Sequence, residues 1–563
     1  MTPGSGFPTS RRRFLAGAAA TAGTVGVAAC SDPAGDPAAL GSADAATGRS
    51  VLLSDRQGFN RRWFASNLER VHVPESIDEL ATHVTDAIRD YGRDVKVVAG
   101  RHCYENFAYN GETKAIIDLA AMNTVGFDPE RGAWFVDAGC ALWDAYREML
   151  TEDGLVLPAG SCSSVGAGGH ISGGGYGLLS RLHGLVIDHV TGVDVVTWDD
   201  RQRTATLRYV SDDSSDADER DLFWALRGAG GGNFGVIARY WFADPPPAPE
   251  QASIWTLAWD WETLDTATFT ALVREHDALV PELPDNAFSL FKLNHVAAKQ
   301  VALIVQVASP PGADPVVHER TVDTIVSRTQ RRLAAVATPT ALRDNVPGHP
   351  TFTRVPPTSE SAQHLTFLEA VQTLNGTGAN QFGKYKSAYA RTGFSDAQIA
   401  ALDEWLRRTP PGLQPDAMAQ SLVQVDSFGG AVNRVAPDAT AYPHRSSTFA
   451  LQYQTYWSND SLPGRDDGFP YRQQSDAHLA WISGFYGAVY ADTEGLPPAN
   501  QDGGCYVNYP DSDLGTHATG DVDRALERYF LDNFRANERN LVAIKRRWDP
   551  TDVFHHAQSI PVE

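Results

Sequence analysis

The sequence predicts an α+β protein of two lobes, the second built on an antiparallel sheet flanked by helices, and three observations carry that expectation. At 563 residues the chain exceeds what one hydrophobic core normally serves. Between residues 70 and 242 the expected elements run strand, helix, strand, loop, strand, strand, helix, without repeated βαβ units. A proline run, Asp244-Pro245-Pro246-Pro247-Ala248-Pro249, then breaks the chain, and past it strand-like alternating segments are separated by helical stretches. A hydrophobic fraction of 42% supplies enough apolar residues for both cores. The 47 basic and 69 acidic residues leave a formal charge of −22, which repels nucleic-acid phosphates, and no basic stripe offsets it. A nucleic-acid partner is therefore not expected.

The chain opens on Ser10-Arg11-Arg12-Arg13-Phe14-Leu15 and an Ala- and Gly-rich apolar run ending at Val27-Ala28-Ala29-Cys30. Paired arginines before such a run are the pattern of a twin-arginine export signal, and the run is too short and weakly apolar to span a membrane. Residues 1–30 are expected to be that signal, of lipoprotein type if Cys30 takes a lipid anchor, and the protein is expected to be secreted or held at the cell surface. Residues 31–58 are expected to be a solvated tether, since their first part is rich in Ala, Asp, Gly and Ser, with folded structure starting near Asn60.

Arg70-Val71-His72-Val73-Pro74 reads as a strand closed by proline. Ser76 is placed to cap a helix to about Tyr91, in which Ile77, Leu80, Ala81, Val84, Ala87 and Ile88 recur at helical spacing. Val97 and Val98 end a short buried strand that turns sharply at Gly100. Strands follow at 114–119 and 133–138, a helix at 142–151, and strands at 192–197 and 204–209. Residues 158–177 hold more glycine than a helix or strand tolerates, because each glycine adds backbone entropy that folding must remove. Glycines let a backbone pass where side chains would collide and turn N–H groups toward one point, which suits an anion such as pyrophosphate. Val165, Ile171 and Tyr176 argue against a flexible linker. A further glycine-dense segment, 228–235, follows a helix and precedes a strand, the reverse of the order a dinucleotide fingerprint needs.

These segments resemble the FAD-linked oxidases of the berberine bridge enzyme family, in the vanillyl-alcohol oxidase superfamily, whose FAD-binding domain is of the PCMH type. The stretch Val98-Ala99-Gly100-Arg101-His102-Cys103-Tyr104 is similar to the family's Gly-Gly-His-Ser-Tyr-like segment, whose histidine is bonded to the flavin 8α-methyl carbon. Residues 160–177 are similar to its Gly-x-Cys-x-x-Val-Gly-x-Gly-Gly-x-x-x-Gly-Gly-Gly-x-Gly segment, whose cysteine is bonded to flavin C6. The resemblance implies FAD held covalently through His102 and Cys162. It implies flavin contacts from Ala99, Gly100, Arg101, Cys103 and Tyr104, and from Gly160, Ser163, Val165, Gly166, Gly168, Gly169 and His170. Gly173, Gly174, Gly175, Tyr176 and Gly177 continue that set, and Asp188, Gly232, Asn233, Gly235, Val236, Asn508 and Tyr509 complete it. Arg101 stands where the family has glycine, and Ser163-Ser164 where it has Pro-Thr. The expected organisation is an FAD-binding domain at 59–243, a substrate domain at 244–500, and a C-terminal segment at 501–563 that returns to the FAD domain. No metal is implied. With Cys162 on flavin and Cys30 processed, Cys103, Cys140 and Cys505 allow at most one disulfide.

In the second lobe, residues 288–293, 300–307, 420–425 and 448–453 alternate as strands do. Ser427-Phe428-Gly429-Gly430-Ala431-Val432 resembles a family strand end near substrate, and Asn508-Tyr509-Pro510-Asp511 its Asn-Tyr-x-Asp segment, which implies Tyr509 as the base. Asp426 is expected to orient substrate or tune Tyr509. A tyrosine is a poor base at neutral pH because its pKa lies near 10, so a positive neighbour is required, and Lys384, Lys386 and Arg434 are the candidates. Trp548-Asp549-Pro550 with Phe554 resembles the family ending. The implied activity is oxidation of a secondary alcohol, sugar or glycosylated natural product, with dioxygen as acceptor and hydrogen peroxide as product. Alternatives sharing the same flavin residues are a cyclase or amine oxidase of natural-product assembly, a dehydrogenase using another acceptor, and an inactive binding protein, for which Arg101 beside His102 speaks.

Overall fold

Three sheets carry the chain in the computed structural model, which describes residues 48–343, 362–376, 381–457 and 471–563. The residues expected to form an export signal, and Cys30, lie outside those residues. The first sheet contains β1 (Gly48–Arg49), β2 (Arg70–His72), β3 (Val95–Val98) and β4 (Ala115–Asp118), in the order β1-β2-β4-β3. Helix α1 (Ile77–Tyr91) links β2 to β3 and buries Leu80, Val84, Ala87 and Ile88, the face its spacing predicts. Ser76 stands at the N-cap, yet its side chain makes no capping bond; the Glu79 carboxylate instead accepts the Glu75 N–H at 3.1 Å. The fold also starts earlier than expected. β1 pairs with β2, and buried Asp55 accepts two bonds from Arg49, so ordered packing reaches into the segment 31–58 assigned to a tether.

The second sheet contains β5 (Val125–Asp128), β6 (Ala133–Asp137), β7 (Gly192–Asp199), β8 (Thr204–Val210) and β9 (Val236–Phe242), in the order β5-β6-β9-β7-β8 and antiparallel throughout. Helix α2 (Leu142–Asp153) and the glycine-rich stretch lie between β6 and β7.

The third sheet is antiparallel, with β10 (Gln251–Asp260), β11 (Ala287–Asn294), β12 (Gln300–Ala308), β13 (Gln363–Thr366), β14 (Phe382–Ala390), β15 (Ser421–Ser427) and β16 (Phe449–Trp457) in the order β13-β10-β12-β11-β15-β16-β14. Successive side chains on a strand take opposite faces. Val423, Val425, Leu451 and Tyr453 therefore pack with Phe269, Leu402, Trp481 and Phe485 of the covering helices. Leu290 and Ala450 face the other way and join one core with Ala159, Ile171 and Tyr176 of the glycine-rich stretch. Apolar packing is thus continuous across the proline run at 244–249. The sequence did not single out β10 and β14, which are buried on both faces, as β11, β12, β15 and β16 are.

Residues of the C-terminal segment contact those of the first lobe. Buried Lys545 donates to the carbonyls of Asn233 and Phe554 and pairs with Asp549 at 2.7 Å, while Val553 and Phe554 enter the core beneath α1. Cys103, Cys140, Cys162 and Cys505 are free thiols, so the one disulfide the sequence permits does not form among the described residues.

Candidate active site

The loops bearing His102 and Cys162 cross at two glycines. A Cβ built on Gly100 would overlap the backbone nitrogen of Gly166, and one built on Gly166 would overlap that of Gly100. Only residues without side chains allow this approach. Gly166→Val is expected to cost about 1–3 kcal/mol by overpacking and to give protein with little flavin, read from thermal melting and the visible-to-ultraviolet absorbance ratio.

These loops, with Gly230–Asn233 and the 506–510 segment, wall a cavity of about 400 Å³. His102, Cys162, Tyr176, Asp426 and Tyr509 all line it. Among the described residues no protein acceptor takes the N–H groups of residues 100–104, which also line the cavity. Such orphaned donors fit a bound anion. The His102 ring stacks on Phe59 at 4.4 Å, and its Nε2 lies 2.9 Å from Ser164 Oγ. Burial lowers its pKa to about 4, so the imidazole is neutral at pH 7 and one ring nitrogen keeps a lone pair. Burial pushes the Cys162 thiol up to about 11, an effect Lys292 opposes. His170 Nε2 accepts the Gly160 N–H at 3.0 Å. Arg101 adopts φ 61, and its guanidinium is held by Asp118 and lies 3.6 Å from Asp55. Its charge is thus matched by carboxylates of its own lobe.

On the opposite wall the Tyr176 hydroxyl lies 3.1 Å from Asp426 Oδ2 and 3.1 Å from the Tyr509 hydroxyl. Burial and the Asp426 charge raise the Tyr509 pKa well above 10, and burial raises that of Tyr176 likewise. Burial also raises the carboxyl of Asp426, with Gln424 and Lys292 working against it. None of the three expected cations stabilises a Tyr509 phenolate. Lys384 and Lys386 are spent on Glu105, Asp511 and Asp513, and exposed Arg434 pairs with Asp285. They were candidates by charge alone, and nearer carboxylates claim each of them. The cavity floor is neutral: Tyr456 donates to Gln454 Oε1 at 3.0 Å, Gln454 to Gln452 Oε1 at 2.5 Å, and Gln452 to the Tyr104 hydroxyl at 3.3 Å.

Two family models match the chain, "FAD binding domain" over residues 68–206 and "Berberine and berberine like" over residues 505–561. Hexose oxidase of Chondrus crispus is 35% identical over 529 residues, covering 91% of this chain and 93% of that protein. The chain belongs to the berberine bridge enzyme-like family of FAD-linked oxidoreductases. Aclacinomycin-N/aclacinomycin-A oxidase of Streptomyces galilaeus is another relative, 32% identical, with 98% of each chain covered. Among solved structures, the glycopeptide hexose oxidase DBV29 complexed with teicoplanin superposes with a TM-score of 0.75 at 29% identity, covering 92% of this chain and 99% of that one.

Membership in this family makes FAD the cofactor and the chain an FAD-dependent oxidoreductase. Most of the residues expected to touch flavin line the cavity, including Ala99–Tyr104, Gly160, Val165, Gly166, Gly168–His170, Gly177, Gly232, Asn233, Gly235, Val236 and Asn508. Five expected contacts lie off its wall. Ser163 donates its N–H to Asn375, and Gly173 packs against the Asn508 amide. Gly174 packs on Tyr442, and the Gly175 N–H donates to the Tyr506 hydroxyl. Asp188 is bound by Arg445 at 2.7 and 2.9 Å, where an acid faces a buried guanidinium and not a ligand. Conversely, sequence reasoning placed Tyr176 with the flavin contacts and missed Gln424, Gln452, Gln454 and Tyr456. The alternation of β15 and β16 was legible, but which face met the cavity was not.

Proposed function

We propose that this protein oxidises a carbinol carbon of a sugar or glycosylated small molecule, with FAD bonded through Cys162 and His102 and dioxygen as electron acceptor. The observation that carries the reading is the Tyr509–Tyr176–Asp426 chain opening on a cavity with a neutral floor of amides and hydroxyls. Bound FAD supplies a two-electron acceptor for the hydrogen that leaves the carbinol carbon and passes both electrons to dioxygen, giving hydrogen peroxide.

The protein's part is the hydroxyl proton. With Tyr509 and Tyr176 protonated and Asp426 ionised, the substrate proton passes to the Tyr509 oxygen while that of Tyr509 passes to Tyr176 and that of Tyr176 to Asp426. No free phenolate is needed, which answers the objection that an elevated tyrosine pKa raises. The floor suits neutral hydroxyl-rich substrates, since Gln424, Gln452 and Gln454 offer donors and acceptors without charge. The names of the relatives, hexose oxidase and aclacinomycin oxidase, favour the same class. Export by the twin-arginine route, with or without a lipid on Cys30, belongs to the same reading.

The test offers D-glucose, lactose and a glycosylated polyketide to purified protein and follows anaerobic flavin bleaching and aerobic peroxide. Bleaching with one peroxide per substrate is expected; no bleaching by any sugar or glycoside overturns the reading. Acid precipitation of the protein and its His102→Ala and Cys162→Ala variants checks the two bonds. Yellow colour is expected to stay with the wild-type pellet and with each single variant, and to leave only the double variant.

A further inference from the structure

Lys292 is fully buried on β11 and is the register partner of Gln424 on β15. Its Nζ lies 2.5 Å from Gln424 Oε1. As an ammonium Lys292 only donates, and in that form it holds the amide oxygen toward itself and turns the amide nitrogen away. That nitrogen lies 2.8 and 3.0 Å from the two Asp426 oxygens. Both oxygens then accept, an arrangement that favours the carboxylate, which has no hydrogen of its own to place. Tyr176 donates to Oδ2 of the same group, leaving its oxygen to accept the Tyr509 hydrogen. Every hydrogen in the chain is directed toward Asp426, and the Tyr509 oxygen is left with lone pairs for a substrate hydroxyl.

Resting on the alcohol-oxidising reading above, we propose that Lys292 is a positioning residue that sets the direction of this hydrogen-bond chain through the Gln424 amide and keeps Asp426 the acceptor at its end. Without the ammonium the amide is free to turn its oxygen to Asp426, where it would stabilise the protonated acid and reverse the chain. The other titratable groups facing the pair are Cys162 and Tyr176 of the glycine-rich stretch and Tyr506 and Tyr509 of the C-terminal segment. Burial raises the pKa of each, so at neutral pH they are uncharged. Burial lowers the Lys292 pKa to about 7, with Asp426 working against that shift, and in its charged form Lys292 opposes the burial that favours protonated Asp426.

The experiment uses FAD-loaded wild type, Lys292→Met, Lys292→Arg, Gln424→Met and the Lys292→Met/Gln424→Met double variant. The first readout needs no substrate: the infrared carboxylic-acid band of Asp426, identified by its loss in Asp426→Asn, is titrated with pH. Lys292→Met is expected to move its midpoint upward by about one pH unit or more, a tenfold gain in proton affinity. Lys292→Arg is expected to restore most of it. Gln424→Met is expected to shift the midpoint in the same direction, and the double variant no further, because both act through one contact. The second readout, the pH profile of flavin bleaching by an active sugar, is expected to move in parallel. An unmoved midpoint in Lys292→Met at wild-type flavin content overturns the proposal, and additive shifts overturn the route through the amide. If Lys292→Met does not hold FAD, Lys292→Gln is read in its place, since Gln424→Met removes a direct donor to Asp426 and would move the midpoint without Lys292. Failure of wild type to oxidise any sugar would reject the substrate class alone, since the infrared midpoint still decides the role of Lys292.

Discussion

Asp426→Asn is expected to slow flavin reduction by about 10²- to 10⁴-fold, the usual contribution of a positioned proton acceptor, with FAD content and melting temperature near wild type. The asparagine keeps the size of the side chain and can still meet the Tyr176 hydroxyl, but it cannot take the proton that the chain delivers. Tyr509→Phe and Tyr176→Phe are expected to fall in the same range, and combinations to cost little more, because the three groups act as one unit. The pH dependence has a definite sign. The competent form has Asp426 ionised, and burial places its carboxyl above the ordinary aspartate value of about 3.9. The rate of bleaching is therefore expected to rise with pH through a midpoint above that value, and this limb is expected to vanish in Asp426→Asn. Anaerobic stopped-flow measurements across pH check both statements, and an Asp426→Asn protein as fast as wild type overturns the chain.

Lys384→Met is expected to destabilise the protein by about 3–5 kcal/mol, the range for removing one partner of a buried ion pair. Lys384 sits 2.5 Å from Glu105 and 2.7 Å from Asp511, and Lys386 bridges Asp511 and Asp513 at 2.8 and 2.6 Å. Both lysines, Glu105 and Asp511 are buried. The cluster joins the residue after Tyr104, strand β14 and the residue two beyond Tyr509, so it fixes two walls of the cavity relative to each other. The variant leaves one ammonium among three carboxylates, and a lower rate is expected alongside the lower stability. Asp511 and Glu105 hold this cation well above, and the cluster's two ammoniums hold Asp513 well below, their ordinary pKa values. A raised lysine contributes stability that is complete below its unfolded pKa near 10.4 and lost as pH climbs through the folded value. A depressed aspartate contributes stability that is complete above about 3.9 and lost as pH falls through the folded value. The wild-type cluster is thus at full strength between those limits. In Lys384→Met the excess carboxylates favour protonation, so the stability gap to wild type is expected to narrow as pH falls toward about 4. Chemical denaturation at pH 7 and pH 4.5 measures it, and a gap independent of pH would show that lost packing, not charge, carries the effect.

The glycine-dense segments, His102, Cys162, Asp426 and Tyr509 could be named from the chain alone, as could α1, α2 and the strands that alternate. Their signals are local: glycine density, 3.6- or 2-residue spacing, or a reactive residue type beside a turn. The roles of charged residues were not legible in the same way. Lys384 and Lys386 read as partners for Tyr509, yet nearer carboxylates claim them, Glu105 from 279 residues away. Arg101 read as a flavin contact or an obstruction, yet Asp118 and Asp55 take its guanidinium. Lys292 drew no notice, because nothing nearby in sequence marks it; it gains its place only when β11 pairs with β15 and sets it opposite Gln424. By itself the sequence determined the α+β fold class, the FAD cofactor and the residue types offered for the site. Only the tertiary structure decided which hydrogens point where and which charges cancel, since an electrostatic partner is set by distance and burial in space and not by separation along the chain.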